Sequence, residues 1–421
     1  MILNQIKVLN YKGIKDMQIR FAPGINLLIG DNGVGKTSVL DALSVALGGF
    51  FTGIKGVHAP GIWQTDIRFE THRLAGASTT IEYMNPTAVD CEANVDGEIM
   101  KWVRARDEGP LNPRTKISNR EIAKYAAQIS NDANHLLPLI RYVGTSRVIN
   151  IKRNRPSAGQ KQLKDRRCGY IGCLDSGFDT EGIKDWCLKM EMAAFHQENT
   201  IPEYEAFKST VSSIMKKMSD LETAPKISYS RVFEDIVYSE QDKEEIPIQY
   251  LSAGYQSLLW MSVDLAYRLA LLNPGQLDFS LATGVVLIDE LDMHLHPKWQ
   301  WNVLGALEET FPNIQFIIAT HSPIIISSCK NGQLIMLDSE QNISYVGNAY
   351  AYSIMDVLEL KQGALGVPKE LRDLSQKFDK ALNSEDYEGA KAVLQEMKDL
   401  YGAGNSEVKS AMLELELGDT D

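Results

Sequence analysis

Long apolar runs are missing from this 421-residue chain: no stretch reaches 18 apolar residues, so no transmembrane helix is expected. The first nine residues alternate apolar and polar types, without the apolar core of a signal peptide. A soluble, cytoplasmic protein is the resulting expectation. Cysteine is scarce. Cys91, Cys168, Cys173, Cys187 and Cys329 are scattered, and only Cys168 and Cys173 stand close, with no matching second pair. Free buried thiols are therefore expected rather than a disulfide framework or a zinc site. No heptad run is present, which excludes a coiled-coil arm. Basic residues are in deficit, 43 Lys and Arg against 55 Asp and Glu. The net charge of -12 makes the chain a poor global match for nucleic acid, so such a contact needs a local basic patch or a partner. The seven histidines form no H-N-H constellation. Asp419 and Asp421 sit at a frayed end rather than on a strand, so no nuclease centre is read in this chain.

What is present begins with enough chain for two or three domains. Alternation at Ile2, Ile6 and Val8 predicts a half-buried strand. Met17 to Phe21 and Ile25 to Ile29 follow as strands, and a helix is expected from Lys36 to Leu47. Strand-like alternation recurs around Asp66 to Phe69 and Thr79 to Tyr83. The organisation predicted is an N-terminal half-domain over 1–110, a mainly helical insertion over 111–245, a C-terminal half-domain over 246–345 and a helical extension over 346–421. In that extension Leu371, Leu374 and Phe378 keep helical spacing, as do Ala390, Val393, Leu394 and Met397, which predicts a helical hairpin.

Gly30-Asp31-Asn32-Gly33-Val34-Gly35-Lys36-Thr37 fits G-x-x-x-x-G-K-[ST] between an apolar strand and a helix, the context a phosphate-binding loop requires. Glycines let backbone N–H groups curl around a polyanion, and the helix N-terminus adds partial positive charge. Asn32, Gly33, Gly35, Lys36, Thr37 and Ser38 are thus candidates to bind ATP, with Lys36 reaching the β- and γ-phosphates and Thr37 ligating Mg²⁺. Gly284 to Ile288 reads as a buried parallel strand that ends in Asp289 and Glu290. Two carboxylates at such a strand end are costly to bury without a cation or ligand. Asp289 is placed to hold Mg²⁺, and Glu290 to polarise the attacking water.

Leu251-Ser252-Ala253-Gly254-Tyr255-Gln256 opens a long amphipathic helix, where Ser252 is also a candidate N-cap. Beside the acidic pair, these residues resemble the signature of ABC-type ATPases, close to L-S-G-G-Q. Leu291-Asp292 is similar to that family's D-loop, and His321 in Ala319-Thr320-His321-Ser322-Pro323 to its switch histidine, 31 residues after Glu290. The resemblance implies an ABC/SMC-type P-loop ATPase head of the α/β class. Such a head has a mixed sheet with flanking helices and antiparallel N-terminal strands, here with a helical insertion and a C-terminal helical extension. It also implies that Ser252 and Gly254 act on ATP held by a second copy, that Asp292 lies at that shared site, and that His321 contacts the γ-phosphate. Ala253 and Tyr255 depart from the pattern, which puts the hydrolysis rate in question rather than nucleotide binding. Gln64 is the candidate Q-loop glutamine and metal contact. Lys12 stands where SMC-like heads place a basic residue near the phosphates, or is a plain surface lysine.

Lys36 and Ser252 are 216 residues apart, longer than in transporter heads, which leaves room for the insertion. Leu291 to Pro297 (L-D-M-H-L-H-P), Asp66-Ile67-Arg68, and Tyr352-Ser353-Ile354 ahead of Asp386-Tyr387-Glu388 resemble a small arm-less group of bacterial ATPases. That group includes the ATPase subunit of Septu anti-phage systems and is also found beside retrons. The resemblance implies a switch subunit that forms a head-to-head homodimer or higher oligomer and regulates a separate HNH-type nuclease. His294 and His296 could be metal ligands, but Pro297 as the first residue of a helix favours the D-loop reading. The basic run from Arg141 to Arg167 (Arg141, Arg147, Lys152, Arg153, Arg155, Lys161, Lys164, Arg166 and Arg167) is either a DNA or RNA grip or a solvated loop. An SMC-like DNA-repair ATPase and a transporter ATPase are the rival readings.

Overall fold

The computed structural model describes residues 1–73, 79–106, 114–145, 165–197, 199–240, 243–347, 349–350, 352, 356–357, 369–384 and 386–418. The chain divides into two units, Met1–Tyr352 and Ser353–Asp421.

In the first unit, β1 (Ile2–Tyr11) turns back into β2 (Ile14–Arg20), and β3 (Ile25–Ile29) runs into the phosphate loop and α1 (Lys36–Phe51). A separate two-stranded hairpin, β4 (Phe69–Arg73) and β5 (Thr79–Tyr83), precedes β6 (Thr87–Val95), β7 (Glu98–Arg106) and β8 (Lys116–Ser118). These make an antiparallel sheet in the order β2-β1-β6-β7-β8. Thr87, Val89, Cys91, Ala93 and Val95 are the buried residues of β6, the period of two that leaves the other face to solvent. Trp102 of β7 is buried and donates from its indole to the Ala46 carbonyl at 2.8 Å, which fixes this sheet against α1.

After α2 (Glu121–Asn131) come β9 (Leu139–Val143), α3 (Thr180–Gln197), α4 (Pro202–Ser219) and a small sheet of β10 (Lys226–Ser230), β11 (Asp235–Ser239) and β12 (Ile246–Pro247). Next are α5 (Ala253–Leu272), β13 (Gly284–Ile288), α6 (Pro297–Thr310), β14 (Ile314–Ala319), α7 (Pro323–Ser328), β15 (Gln333–Leu337) and β16 (Ile343–Val346). The central sheet has the order β16-β15-β3-β14-β13-β9, parallel throughout except for β16. Every residue of β3, β9, β13 and β14 is buried, as parallel strands covered on both faces require. Placing β3, β14 and β13 side by side brings the phosphate loop, the His321 turn and the Asp289–Glu290 pair to one edge of the sheet.

The span 111–245, expected as a mainly helical insertion, carries the helices α2, α3 and α4, but it also contributes to the central sheet. Its Leu139–Val143 segment is a strand of the central sheet, paired in parallel with β13 from Gly284 to Ile288. A five-residue run that is apolar but for Arg141 cannot be told from a helix segment by periodicity alone, and only the parallel partner settles it.

Among the described residues from 369 on, the second unit holds three helices, Lys369–Asn383, Tyr387–Tyr401 and Ser406–Gly418, where a hairpin of two was expected. Their core is Leu371, Leu374, Phe378, Ala390, Leu394, Met397, Val408, Ala411 and Leu415. The third helix covers the apolar stripes that a two-helix hairpin leaves open. Asp386 caps the second, its carboxylate accepting from the Gly389 amide at 3.0 Å. Ser353 and Ile354, part of the sequence signal for this tail, lie outside the described residues.

Candidate active site

The loop after β3 owes its shape to glycine. Gly33 and Gly35 have φ of 83° and 106°, conformations in which a side chain is strained. They turn the chain so that α1 begins at Lys36. Asn32, Gly33 and Thr37 are open to solvent and Ser38 is half-buried. Lys36 is 6% exposed and its ammonium donates to the carbonyls of Gly30 at 2.8 Å and Asp31 at 2.7 Å. Burial lowers its pKa, and the carboxylates of Asp31, Asp289, Glu290 and Asp292 pull the other way. A cation kept in a partly dry pocket beside four acids suits a polyanion that arrives with a divalent ion.

Across the loop, the Thr37 hydroxyl donates to Asp289, 3.0 Å from Oδ2 and 3.3 Å from Oδ1. Asp289 is 3% exposed, and its amide donates to the Val143 carbonyl of β9 at 2.8 Å. A hydroxyl and a carboxylate in contact are a hard-oxygen pair of the kind Mg²⁺ takes. Glu290, next in the chain and half-buried, has φ of 47°. The left-handed region is uncommon for a residue with a side chain and clusters at functional sites.

Asp292 and His321 meet at the same corner. The Asp292 Oδ1 atom accepts from the Thr320 hydroxyl at 2.6 Å and from the His321 amide at 3.3 Å. Burial, and then the nearby Lys36 cation, hold the His321 pKa below its ordinary value, which favours a neutral imidazole at neutral pH.

Gly254 of the signature turn lies against His294, two residues past Asp292 of the D-loop. Ser252 occupies the N-cap position of α5 but its side chain makes no capping bond, and the residue is exposed. A Cβ at Gly254 would lie 2.5 Å from the His294 carbonyl oxygen and 3.2 Å from the Trp299 ring. Tyr255 packs edge-on against Trp299 with centroids 4.4 Å apart, so the residue that departs from the signature pattern staples α5 to α6. His296 accepts from the Lys298 amide at 3.3 Å and caps α6, with Pro297 at its first position.

Gln64 stands in a short turn, exposed, and its amide donates to the Tyr83 hydroxyl at 3.4 Å. That turn is tied towards α1. The Lys12 amide donates to the Asp66 carbonyl at 2.6 Å, and the Lys12 ammonium pairs with Asp41, one helical turn after Thr37. The Tyr142 hydroxyl donates to the other Asp41 oxygen at 3.2 Å. Asp41, Tyr142 and Thr320 were not singled out from the sequence, because a lone polar residue beside a motif carries no signal of its own.

Arg141 is a structural cation, not part of an exposed basic patch. It is fully buried and donates from Nε to Asp264 at 2.6 Å and from its other nitrogens to the carbonyls of Gly172, Cys173, Asp175 and Gly177. Arg268 shares Asp264 at 3.2 Å. Arg166 donates to the Ile129, Asp132 and His135 carbonyls, and Arg167 pairs with Asp165 at 2.6 Å. Arg147, Lys152, Arg153, Arg155, Lys161 and Lys164 lie outside the described residues.

A family model described as an AAA domain matches residues 5–247. A second, described as an AAA domain, putative AbiEii toxin, Type IV TA system, matches residues 211–327. The chain is similar to the retron Vc95 probable ATPase of Vibrio cholerae serotype O1 biovar El Tor, at 24% identity over 90% of this chain and 82% of that protein. It is also similar to the Septu protein PtuA of Bacillus thuringiensis, at 23% identity over 92% of this chain and 91% of that protein. Among solved structures, an SMC head bound to the C-winged helix domain of ScpA aligns with a TM-score of 0.52 and 17% identity, over 82% of this chain and 98% of that one. That likeness fixes the fold as an SMC-type head.

Proposed function

The chain belongs to the AAA-domain family, and from that premise we propose an ATP-binding, slowly hydrolysing switch subunit of a bacterial anti-phage complex that regulates a separate nuclease. The observation that carries the ATPase reading is the Thr37–Asp289 contact, which joins the phosphate loop to the acidic strand end with Glu290 beside it. Lys36 would exchange its two loop carbonyls for phosphate oxygens, a charge-assisted contact of greater strength. Thr37 and Asp289 would hold Mg²⁺, which when bound neutralises charge on the transferring phosphoryl group. Glu290 would orient a water whose oxygen attacks the γ-phosphorus. The bond to the bridging oxygen breaks, ADP departs, and the water's proton passes by way of Glu290 to the product phosphate. Neutral His321 would donate to a γ-phosphate oxygen.

The exposed, non-capping Ser252 hydroxyl supports a site completed in trans, with Ser252 and Gly254 of one copy closing over ATP held by the other, and Asp292 beside the junction. A site shared in this way calls for head-to-head dimers, and higher oligomers built from them are part of the same reading. The anti-phage assignment draws on the kinship with retron and Septu ATPases, and the partner it brings is an HNH-type nuclease. A cytoplasmic location accords with the described helices, none of which is long and apolar enough to cross a membrane.

The test mixes Lys36→Ala with Ser252→Arg subunits and adds the nuclease encoded beside this gene. Each variant alone should be inactive. The mixture should regain ATP hydrolysis at one site per mixed dimer, and nucleotide state should control DNA cutting by the partner. No recovery from two folded, associating variants would refute the shared site. DNA cutting by this chain alone would refute the division of labour.

A further inference from the structure

Thr320 connects β14 to the turn bearing His321, is fully buried, and its hydroxyl is committed on both sides. The hydroxyl proton goes to Asp292 at 2.6 Å, and the oxygen accepts from the Ser322 amide at 3.1 Å. The Thr320 amide donates to the Leu28 carbonyl of β3 at 3.3 Å, just before the phosphate loop. The D-loop is fastened at the same point, with the Leu291 amide donating to the Ala319 carbonyl at 3.2 Å. On the far side, the Ser322 hydroxyl donates to Gln300 at 2.5 Å, and the Gln300 amide donates to the Leu295 carbonyl at 2.9 Å. His321 is therefore gripped before and after by groups that also hold the D-loop. His294, which precedes Leu295, has its carbonyl against Gly254 of the signature turn.

We infer that Thr320 is a positioning residue for hydrolysis. Its hydroxyl locks the His321 turn and the Asp292 D-loop into one unit, so that the imidazole reaches the γ-phosphate only when the D-loop is in place. The side chain must be both donor and acceptor in a dry site, a demand serine meets and valine, of the same shape, cannot. Engagement of the signature turn by a partner head would then reach His321 through the D-loop and this hydroxyl. The inference rests on the proposed role of His321 at the γ-phosphate.

The experiment measures steady-state ATPase kinetics of the full chain with Thr320→Val, Thr320→Ser, His321→Ala and Asp292→Ala. Thr320→Val should lower kcat about 10- to 100-fold with KM for ATP within about threefold, since misplacing a catalytic group costs rate rather than uniform binding. Thr320→Ser should return kcat to within about threefold of wild type, because it keeps both hydrogen bonds. In an Asp292→Ala background, where the acceptor is gone, the valine change should add little, the mark of two residues acting as one unit. If Thr320→Val does not fold, the contrast of Thr320→Ser with Thr320→Ala serves in its place. Wild-type kcat in Thr320→Val beside an inactive His321→Ala would overturn the inference and leave the reading of His321 standing. Equal damage from serine and valine, or strict additivity with Asp292→Ala, would also overturn it. A fully active His321→Ala would overturn both.

Discussion

The ATP corner of the first unit and the helical second unit are stabilised in opposite ways. The corner is assembled across the sequence. Thr37 meets Asp289 from 252 residues away, and the Thr320 amide reaches back to Leu28. Its interior is rich in buried polar groups, among them Lys36, Asp264, Asp289 and Thr320, each of which needs a partner of fixed geometry. The described helices of the second unit pack around a cluster of apolar side chains, which requires volume and periodicity but little angular precision. The difference separates what must be exact for chemistry from what need only hold together.

The largest effect on ligand binding that sharpens the comparison is expected at Lys36. Lys36→Ala removes two charge-assisted donors from the phosphate site and should lower ATP affinity about 100-fold or more. Calorimetric titration checks this, and unchanged affinity would remove the loop from the account. Next is Asp264→Ala, which strands two buried arginines and should cost the first unit about 3–5 kcal/mol. Chemical denaturation should show that loss without moving the second unit's transition, and a cost under about 1 kcal/mol would mean the triad is not as dry as its burial suggests. In the second unit Leu394→Ala should cost about 2–5 kcal/mol, leave ATP affinity at its wild-type value, and reduce oligomer mass in light scattering. A fall in ATP affinity would break the separation between the two regions. The smallest effect on stability belongs to Gln64, exposed and holding a long hydrogen bond. Gln64→Ala should change stability by less than about 0.5 kcal/mol yet slow Mg²⁺-dependent turnover about tenfold. Unaltered turnover would move the Q-loop role to another residue.

The two regions also differed in how far the sequence could be read. The phosphate loop, the acidic strand end and His321 were legible because their chemistry admits few residue types at fixed spacing, and the central sheet does bring Lys36, Asp289, Glu290, Asp292 and His321 together. The fold class was legible from the same order of motifs. What eluded the sequence depends on partners distant along the chain. Leu139 to Val143 became a sheet strand only by lying beside β13. Arg141 looked like the start of a basic patch until its strand carried it inward to Asp264. The third C-terminal helix was hidden by its acidic residues, although Val408, Ala411 and Leu415 repeat at helical spacing and are buried. Asp41, Tyr142 and Thr320 had no spacing signal, since each matters through what it holds.

The most direct test of the central claim is phosphate release by Glu290→Gln under saturating ATP and Mg²⁺, with nucleotide affinity measured on the same preparation. Glutamine keeps the size of the side chain but cannot accept the water's proton as a carboxylate does. The account predicts ATP affinity within a few-fold of wild type and turnover lower by about 10²–10⁴-fold. Turnover within a few-fold of wild type would contradict it and place the hydrolytic centre elsewhere.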